Sequence, residues 1–437
     1  MKISKPITIH QRSFKSISDH SSDALDPDCL FVQTTLNKRF HHTISQNQSI
    51  HQDQLYQHFT LPAHIIGITG TNGKTTTAAL IAHILLSHHY KVALLGTRGF
   101  FINGEQKRLK GLTTPTVLEL YALLEEASDC DFFVMEVSSH AIAQNRIASI
   151  PFAAKILTNI TSDHLDFHQT LQEYIRIKNS FFDDNSIQII NSDEPNASIQ
   201  TKTTYGIKNQ ADFFAQNFSI SPSISAQIHS PTSSTSLTLK MCGLHNLYNV
   251  LAAITCISKL TPLSLEQISH SLLSFVGVEG RMEILSTTPL IIVDFAHTDD
   301  GMKKILESFE GQKIVVVFGA GGDRDKSKRP KMGHIADQYA LKIYLTSDNP
   351  RSEDPQVIID EIAQGITNQH KIISRNPDRF ASIQEAIHNL QPDEILFVLG
   401  KGDEQYQIIQ DQLIPFDDRE VIRSVLESTQ TTKKDNL

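Results

Sequence analysis

Tryptophan is absent from this chain of 437 residues, and cysteine is scarce. The four cysteines, at positions 29, 130, 242 and 256, form no C-x-x-C pair. Their scatter excludes a disulfide scaffold and matches no zinc-site spacing. Long apolar runs are also missing, which excludes a membrane-spanning helix, and the first residues lack the apolar core of a signal peptide. We therefore expect a cytoplasmic protein without a membrane partner.

Positive charge is in short supply as well. The chain has 39 Lys and Arg against 48 Asp and Glu, a formal net charge of −9. A net negative chain is poorly suited to bind a nucleic-acid backbone, so we expect no nucleic-acid partner. The apolar fraction of 40% and the charged fraction of 20% are ordinary for a globular protein. The length allows roughly two to four domains.

Strand and helix patterns alternate after the first 62 residues, which are polar and contain one strand candidate at 30–32. Short β-rich runs at 64–68, 92–95, 132–135, 154–157 and 187–190 are separated by helical stretches. This alternation predicts an α/β fold with a parallel, doubly wound sheet. The Ser-rich segment 218–238 is either a two-stranded excursion or a solvated loop.

A second α/β block begins near residue 286. Its predicted strands are 290–293, 314–318, 342–345 and 395–399. Three of them run directly into polar or Gly-rich loops, and ligands of parallel sheets bind beyond the carboxyl ends of the strands. We therefore expect functional residues on those loops. The polar tail from Ser428 onward is predicted to be disordered.

The segment 70–76, Gly-Thr-Asn-Gly-Lys-Thr-Thr, has the form of a phosphate-binding loop. It follows a buried strand and precedes a helix at 78–86, which is the context that such a loop requires. Backbone N–H groups and the positive end of the helix dipole would face the phosphates. Lys74 would add a charge near the β- and γ-phosphates, and the Thr75 hydroxyl could reach Mg²⁺. Ile68 stands where the common pattern has its first glycine.

Three further side chains are candidates for chemistry near this loop. Glu136 ends a strand, where a second Mg²⁺ ligand belongs, although it could instead cap the following helix. His164 lies in a segment rich in His and Asp, which suggests a polar site but matches no metal-ligand spacing. Lys178 lies on an amphipathic helix, and the pattern alone favours a solvated lysine there.

The loops of the second block carry two arginines and a glutamate. Arg324 and Arg351 follow consecutive strands, and their guanidinium groups suit bidentate capture of a carboxylate. The alternative is that both are merely solvent-exposed charges. Glu404, after the Gly-Lys-Gly at 400–402, could bind an amino group opposite the arginines. Together the three would form a site for a zwitterion.

Taken together, these segments resemble the Mur ligase family, because its motifs occur in family order from about residue 65 to 407. The motifs are GTNGKTT (70–76), TTP (113–115), EVSSHAIAQNR (136–146), NITSDHLDFH (159–168), Lys178, GLHNLYN (243–249), GRME (280–283), VDFAHT (293–298), GAGGDRDKSKRP (319–330), DNPR (348–351) and GKGDE (400–404).

The resemblance implies three domains: an N-terminal domain for the UDP end of the substrate (1–62), a central ATPase (63–285) and a C-terminal Rossmann-like domain for the amino acid (286–437). It implies an ATP-dependent amide ligase of peptidoglycan precursor synthesis. ATP phosphorylates the D-glutamate carboxylate of UDP-N-acetylmuramoyl-L-alanyl-D-glutamate, and the incoming amine attacks this acyl phosphate. We expect a monomer that acts on small molecules.

The resemblance also implies roles for single residues. The metal ligands are expected to be Thr75, Glu136, His164 and Lys178 as a carbamate, an anionic oxygen ligand that suits Mg²⁺. Lys74, Glu136, His164 and Lys178 are the expected catalytic residues. ATP is expected to contact Gly70, Thr71, Asn72, Gly73, Lys74, Thr75, Thr76, Asn246, Asn249, Arg281 and Asp294. The UDP-muramoyl peptide is expected to contact Ser22, Thr113, Thr114, Ser138, Gln144 and Arg146.

The residues expected to bind the amino acid and to set its specificity are Arg324, Asp348, Asn349, Pro350, Arg351, Gly400 and Glu404. In the family, DNPR looks like the signature for meso-diaminopimelate rather than L-lysine. The physical chemistry agrees, because diaminopimelate carries an extra carboxylate that Arg351 can pair with. The alternatives are a sister ligase that adds L-lysine, a ligase of the folate-polyglutamate type, and a nucleotide switch without bond-forming chemistry.

Four positions depart from the family pattern. Ser22-Asp23 stands where Ser-Arg is usual, which leaves uridine recognition open in a short N-terminal domain. Phe295 replaces a Tyr, and Asp299 replaces a Pro. Asp403 replaces the usual His next to Glu404.

Overall fold

The computed structural model describes residues 1–9, 11–109, 111–161, 163–199 and 203–434. Contacts divide the chain into two compact units. The first comprises Met1–Asn217, Ala226–Leu237 and Tyr248–Leu273, and the second comprises Phe218–Ser225, Thr238–Leu247 and Ser274–Leu437. In the part of the chain that is described, no helix is both long and apolar enough to cross a bilayer.

The first unit begins with a small sheet. Its strands are β1 (Lys2–Ile9), β2 (Arg12–Ser18), β3 (Cys29–Gln33) and β4 (Ser49–His51), in the order β1-β2-β3-β4. The first pair is antiparallel and the other two are parallel. Short 3-10 helices connect them at Ser21–Leu25, Thr35–Phe40, Gln46–Gln48 and Gln52–Gln57. The sequence predicted only β3, because few residues of the other strands are apolar.

A large sheet follows, in the order β15-β14-β13-β12-β11-β10-β5-β9-β6-β7-β8. Its strands are β5 (His64–Thr69), β6 (Val92–Gly96), β7 (Gly99–Ile102), β8 (Glu105–Arg108), β9 (Phe132–Glu136), β10 (Phe152–Leu157), β11 (Ile187–Asn191), β12 (Thr203–Gly206), β13 (Phe213–Ser219), β14 (Ile224–His229) and β15 (Ser234–Leu239). The strands from β6 through β9, β5, β10, β11 and β12 to β13 are parallel. The segment 218–238 is thus a two-stranded excursion.

Helices connect these strands. They are α1 (Lys74–Ser87), α2 (Val117–Glu126), α3 (Ser139–Ala143), α4 (Leu165–His168), α5 (Leu171–Asn179), α6 (Leu244–Leu260) and α7 (Leu265–Ser271), with 3-10 turns at Ser180–Phe182 and Leu272–Ser274. Buried side chains of β5, β9 and α2 share one apolar core with the N-terminal sheet. At Gly67 of β5, a Cβ would lie 2.7 Å from the rings of Phe152 and Phe181, so this strand needs a glycine.

The second unit has a six-stranded sheet in the order β16-β17-β21-β18-β19-β20. Its strands are β16 (Glu283–Thr287), β17 (Leu290–Asp294), β18 (Lys313–Phe318), β19 (Lys342–Leu345), β20 (Ile372–Arg375) and β21 (Glu394–Leu399). Only β16 pairs antiparallel to its neighbour; the other pairs are parallel. A hairpin of β22 (Tyr406–Ile409) and β23 (Gln412–Pro415) follows.

Helices cover both faces of this sheet, as the doubly wound prediction requires. They are α8 (Asp299–Glu307), α9 (Lys328–Tyr339), α10 (Pro355–Ala363), α11 (Arg379–His388) and α12 (Asp418–Lys434), with a 3-10 turn at Gln369–Lys371. Alternate strand residues pack against α8, α9 and α10 on one face and against α11 and α12 on the other.

The predicted disorder of the tail from Ser428 is wrong as far as residue 434. Helix α12 runs to Lys434 because Val421, Ile422 and Val425 are buried against the sheet and anchor it. The last three residues, 435–437, lie outside the described part of the chain.

Candidate functional site

The phosphate loop lies between β5 and α1 and has the geometry that its sequence predicts. Gly70 has φ 151° and Gly73 has φ 86°, conformations that residues with a side chain rarely adopt. A Cβ at Gly70 would lie 1.8 Å from Thr158 Oγ1, and one at Gly73 would lie 2.3 Å from Asn249 Oδ1. Both glycines are therefore required by the backbone and by the neighbouring side chains.

Residues directly after β10 hold this loop in place through hydrogen bonds. Asn72 N donates to Asn159 Oδ1 (3.0 Å), and Asn159 Nδ2 donates to Asn72 O (3.0 Å). Thr158 Oγ1 also donates to Asn72 O (2.6 Å), and Thr71 N donates to Asn159 O (2.8 Å). Thr158 and Asn159 were not predicted to contact the phosphate loop, although they directly follow a parallel strand next to β5.

Lys74 and Thr75 begin helix α1. Lys74 Nζ donates to Gly70 O (2.8 Å) and Thr71 O (2.9 Å), so its charge lies over the loop. Thr75 and Glu136 line one cavity of 210 Å³ together with apolar residues of α1, β6 and β7. A threonine hydroxyl and a carboxylate near the start of a phosphate-loop helix are oxygen donors of the kind that Mg²⁺ prefers.

Thr97 holds the Glu136 carboxylate at both oxygens. Thr97 N donates to Oε1 (3.0 Å), and Thr97 Oγ1 donates to Oε2 (3.1 Å). Glu136 is buried at the end of β9. It does not cap the following helix, because Ser138 Oγ accepts from Ala141 N there (3.2 Å). Thr97 was not among the predicted site residues, although a hydroxyl residue directly after strand β6 is a signal that points to it.

Lys178 on α5 is almost wholly buried, with 1% of its surface exposed. The expectation of a solvated lysine, which the helical pattern alone favoured, is therefore wrong. Its Nζ lies 4.8 Å from the centre of the Tyr174 ring. Burial lowers the pKa of Lys178 well below its ordinary value, the charge of Lys74 lowers it further, and Asp163 opposes both.

His164 is exposed on the loop before α4, with φ 52°. Its Nε2 lies 3.4 Å from Asp163 Oδ2, and its ring stacks edge-on against His140 at 4.9 Å between centroids. His168 is buried nearby, and its Nε2 is hydrogen-bonded to Ser139 Oγ (2.9 Å). Burial lowers the pKa of His168, and the neighbouring histidines His140 and His164 add to this effect.

The residues expected to contact the UDP-muramoyl peptide form one network, except for Ser22. Thr114 Oγ1 donates to Glu136 O (2.9 Å) and accepts from Ser138 N (3.0 Å). Arg146 Nη1 donates to Thr114 O (2.8 Å), and its Nε and Nη2 donate to Gln144 Oε1 (2.9 and 2.6 Å).

Two further hydroxyls extend this network. Thr113 Oγ1 lies 3.2 Å from Thr97 Oγ1, which links the expected substrate residues to the Glu136 carboxylate. Ser22 takes no part in these bonds and lies in the 3-10 helix Ser21–Leu25. The unusual Asp23 beside it accepts a hydrogen bond from Ser18 Oγ (2.6 Å).

The two asparagines of GLHNLYN lie on helix α6. Asn249 Oδ1 accepts from Thr77 Oγ1 (3.4 Å) and lies against Gly73, so Asn249 contacts the phosphate loop. Asn246 is buried, and its Nδ2 donates to Cys242 O (2.8 Å).

Asp294 ends β17 in the second unit and is buried. Its Oδ1 accepts from Ala296 N (2.7 Å) and its Oδ2 from Met282 N (2.7 Å). Burial raises the pKa of Asp294, while the charge of Arg281 opposes this. The Arg281 guanidinium lies 4.3 Å from the centre of the Phe295 ring, so phenylalanine supplies the aromatic face expected at that position.

The Asp-Asn-Pro-Arg segment connects three loops of the second unit. Asp348 is buried, and a Cβ at Gly400 would lie 2.5 Å from its Oδ2. Asn349 Nδ2 donates to Glu404 Oε2 (2.8 Å), and Gly322 N donates to Asn349 O (2.9 Å). At Gly322, a Cβ would lie 1.9 Å from Pro350 O. The structure thus brings the expected amino-acid residues of all three loops together.

Arg351 has φ 51° and is held by the β22–β23 hairpin. Its N donates to Ile408 O (2.9 Å), and its Nη1 donates to Gly322 O (2.9 Å). Arg324 is exposed, yet both arginines flank Gly321: a Cβ there would meet Arg351 Nη1 at 3.0 Å and Arg324 Cγ at 3.5 Å. The side chains of both arginines therefore lie next to Gly321.

A buried arginine that the sequence analysis missed holds two of these loops. Arg379 on α11 donates through Nη1 to Ser347 O (3.1 Å) and through Nη2 to Leu399 O (3.0 Å). Its Nε and Nη2 also donate to Asp418 (2.7 Å each), and neither side chain is exposed. No local pattern marks Arg379, because the strand ends that it joins are far apart in sequence.

Among the described residues, no group of three or more His, Cys, Asp or Glu side chains is placed to hold a metal ion. The expected Mg²⁺ ligands contain only two such residues, Glu136 and His164, alongside a threonine and a modified lysine. The Thr75–Glu136 pair fits the ion by its oxygen chemistry.

Comparisons with known proteins cover nearly the whole chain. Residues 68–257 match the Mur ligase middle domain, and residues 280–402 match the Mur ligase, glutamate ligase domain. The chain is 49% identical to the UDP-N-acetylmuramoyl-L-alanyl-D-glutamate--2,6-diaminopimelate ligase of Helicobacter pylori, over 97% of this chain and 98% of that protein. It is 50% identical to the protein of the same name from Wolinella succinogenes, over 95% and 97% of the two chains.

Solved structures agree with these sequence matches. A structure of a UDP-N-acetylmuramoyl-L-alanyl-D-glutamate--2,6-diaminopimelate ligase superposes with a TM-score of 0.67 at 28% identity, over 92% of this chain and 93% of that one. A MurF ligase from Thermotoga maritima, solved with ADP, shares the fold with a TM-score of 0.61 at 16% identity, over 94% and 96% of the two chains.

Proposed function

The chain belongs to the Mur ligase family, and from this premise we propose that it joins 2,6-diaminopimelate to UDP-N-acetylmuramoyl-L-alanyl-D-glutamate at the expense of ATP. The observation that carries the proposal is near-complete coverage by relatives of that name at about half identity. The three-domain α/β architecture of the family accompanies it. The division at residues 62 and 285 stays a prediction.

ATP is proposed to bind at the phosphate loop. Gly70 and Gly73 adopt positive φ angles that shape the loop, and the amides at the start of α1 offer hydrogen-bond donors to an anion. Lys74 now contacts loop carbonyls, and we propose that it turns to the β- and γ-phosphates when nucleotide binds. The roles of Asn246, Arg281 and Asp294 toward the nucleotide stay predictions.

The reaction activates a carboxylate that amines do not attack by themselves. Transfer of the γ-phosphoryl group to the D-glutamate carboxylate gives an acyl phosphate and ADP. The amine of diaminopimelate then attacks the carbonyl carbon, phosphate leaves, and an amide forms. Lys74 offsets the negative charge of the transferred group during this transfer.

Mg²⁺ is proposed to bind Thr75 and Glu136, which line one cavity, and a contribution of His164 stays a prediction. Thr97 supports this assignment, because it holds both Glu136 oxygens in place and thereby orients the carboxylate. The ion would neutralise phosphate charge during transfer.

Lys178 is proposed to act as a carbamate. Its burial and its lowered pKa favour the neutral amine, which is the form that attacks CO₂. Carbamylation turns this amine into an anion, which attracts the positive charge of Lys74, whereas a protonated Lys178 would repel it. The resulting oxygen atoms would suit a hard metal ion.

The UDP-muramoyl peptide is proposed to lie against the network of Thr113, Thr114, Ser138, Gln144 and Arg146. The support is that these side chains form one connected set that reaches Glu136 through Thr97. Arg146 is a partly buried cation there, suited to the diphosphate or to a carboxylate. How the short N-terminal part holds uridine, and whether Ser22 contributes, stay open predictions.

Diaminopimelate is proposed to bind at the DNPR, Gly321 and Glu404 loops. Side-chain atoms of Arg351 and Arg324 both lie close to Gly321, and we propose that these arginines pair with the second carboxylate of the ligand. L-Lysine lacks that carboxylate, so it would leave Arg351 without its anionic partner. The relatives' names support diaminopimelate, and none of them supports the lysine alternative.

The test is a phosphate-release assay with ATP, Mg²⁺ and the UDP-muramoyl dipeptide. We expect release to require diaminopimelate, and L-lysine to be used at least about a hundredfold less well in kcat/KM. Equal use of the two amino acids would reject the assigned specificity. Phosphate release without any amino acid would indicate an ATPase or a nucleotide switch instead.

A further inference from the structure

A buried lysine lies beside the proposed amino-acid site. The side chain of Lys401 is 0% exposed, although it follows a strand end and belongs to the glycine-rich loop 400–402. Burying an ammonium group is costly unless its donors are satisfied. Its hydrogen bonds therefore reveal what the residue does.

Lys401 Nζ has three acceptors, one for each of its donors. They are Glu404 Oε2 at 3.0 Å, Asn349 Oδ1 at 3.3 Å and Tyr406 O at 2.5 Å. Two of these acceptors belong to residues that are proposed to bind diaminopimelate. With its donors used in this way, Lys401 is placed to orient those residues rather than to meet the substrate itself.

The bond from Lys401 fixes which way the Asn349 amide points. Asn349 Oδ1 accepts from Lys401 and also from Ile408 N (2.9 Å), so its Nδ2 is left to donate to Glu404 Oε2 (2.8 Å). Lys401 and Asn349 therefore both bind the same oxygen of Glu404. The other oxygen, Oε1, receives no hydrogen bond from the residues that the structure describes, and the Glu404 side chain is 20% exposed.

We propose that Lys401 is a positioning residue for the amino-acid substrate, acting through Asn349 and Glu404. It holds Oε2 of Glu404 inside the protein and leaves Oε1 for an ammonium group of the ligand. Without Lys401, Glu404 and Asn349 could rotate, and the carboxylate would no longer be presented in one orientation. This inference rests on the proposed function, because it assumes that an amino acid binds at Glu404.

The experiment compares Lys401→Met, Lys401→Gln, Glu404→Gln and the double variant K401M/E404Q by steady-state phosphate release. We expect K401M to raise KM for diaminopimelate by about tenfold or more, with KM for ATP changed by less than about twofold. K401Q keeps amide donors for Glu404 or Asn349, so its KM for diaminopimelate should rise less than that of K401M. It also keeps the test valid if K401M does not fold.

The double variant separates positioning from a merely structural role. If Lys401 acts through Glu404, K401M/E404Q should have about the same KM for diaminopimelate as E404Q alone. Lys155→Met is the matched control, since Lys155 is a buried lysine of the first unit that donates to Phe181 O (2.6 Å) and Asp184 Oδ2 (2.5 Å). It should leave KM for diaminopimelate unchanged.

Two results would overturn the proposal: unchanged KM for diaminopimelate in folded K401M or K401Q, or additive effects in the double variant. Failure of the proposed function has a different signature, because the wild-type protein would then show no phosphate release that depends on diaminopimelate.

Discussion

Arg351 combines a strained backbone with the side chain on which the proposed specificity for diaminopimelate depends. Left-handed backbone costs a residue with a Cβ about 1–2 kcal/mol. The conformation persists because Arg351 N and O are both bonded to the β22–β23 hairpin, and Asp323 on the facing loop has φ 55° as well. Strain of this kind is kept where a site needs one geometry. The backbone therefore aims the guanidinium before any ligand arrives.

Replacing Arg351 by Ala should impair use of diaminopimelate far more than nucleotide binding. Loss of one partner of a buried charge pair costs about 2–5 kcal/mol, so KM for diaminopimelate should rise by roughly thirtyfold or more. Steady-state kinetics with each substrate varied in turn measure both effects. Arg375→Ala, an arginine of β20 bonded to Gln369, is the control. Equal losses for ATP and diaminopimelate would contradict the assigned role.

Lys178→Ala should reduce turnover severely, because the variant has no amine to carbamylate. Added bicarbonate or short carboxylates should restore part of the activity at best, by placing an anion where the carbamate stood. Turnover with and without these additives is the measurement, and Arg176→Ala, an exposed position on the same helix, is the control. Full activity of Lys178→Ala would remove the carbamate from the mechanism.

Among the secondary-structure elements, helices α11 and α12 hold the loops of the second unit that are proposed to bind the amino acid. Arg379 joins the ends of β19 and β21 by their carbonyl groups, and Asp418 at the start of α12 holds the arginine in place. The loops that carry Asp348 and Gly400 are therefore held by a side chain of α11, which Asp418 at the start of α12 keeps in place.

Removing Arg379 should destabilise the second unit strongly. Arg379→Met leaves the Asp418 carboxylate buried without its partner, which costs about 3–5 kcal/mol in free energy of unfolding. Urea unfolding followed by far-UV circular dichroism measures this, since the chain has no tryptophan. Arg423→Met, at an exposed position of α12, should cost much less. A loss below about 1 kcal/mol for Arg379→Met would show that the pair contributes little.

His245, at the start of helix α6, should make the free energy of unfolding depend on pH. Burial lowers the pKa of His245 to about 4, and the charge of Lys304 adds to this. The unfolded chain binds a proton near pH 6.5, so this contribution is complete above that pH and is lost as the pH falls toward 4. The free energy of unfolding decreases by at most about 3 kcal/mol through this histidine.

His245→Gln should flatten the dependence of the urea midpoint on pH between 7 and 4.5. The comparison with wild type isolates this histidine, because the other titrating groups are unchanged. An identical slope in the two proteins would mean that His245 takes up its proton equally easily in the folded state.

For the molecule as a whole, nucleotide binding should increase the thermal stability of the protein. A ligand that binds only the folded state at a hundred times its dissociation constant stabilises by about 2.7 kcal/mol. A non-hydrolysable ATP analogue with Mg²⁺ should therefore raise the melting temperature, and Lys74→Met should remove most of the rise. Lys107→Met, at an exposed hairpin, should leave the rise in melting temperature unchanged. A rise that Lys74→Met leaves intact would place the nucleotide elsewhere.

Much of the fold could be predicted because its signals are local. The apolar runs of β5, β9, β18 and β21 are short and bounded by Gly or polar residues, so the strands and the parallel order follow from the alternation. The polar strands β1 and β4 were missed, since they carry few apolar residues. The helix after Ser428 was missed for a related reason: its anchor lies one to two turns earlier, at Val421 to Val425.

Contiguous motifs were enough to indicate the family, the phosphate loop and the residue types of both candidate sites. The three-dimensional structure was needed to show that Lys178 is buried, that Thr97 is hydrogen-bonded to both oxygens of Glu136, and that Lys401 and Arg379 connect loops of the second unit. The contacts of Thr97, Lys401 and Arg379 join residues that are about 40, 50 and 30 positions apart along the chain. Such contacts depend on strand order and burial, and a linear pattern contains neither.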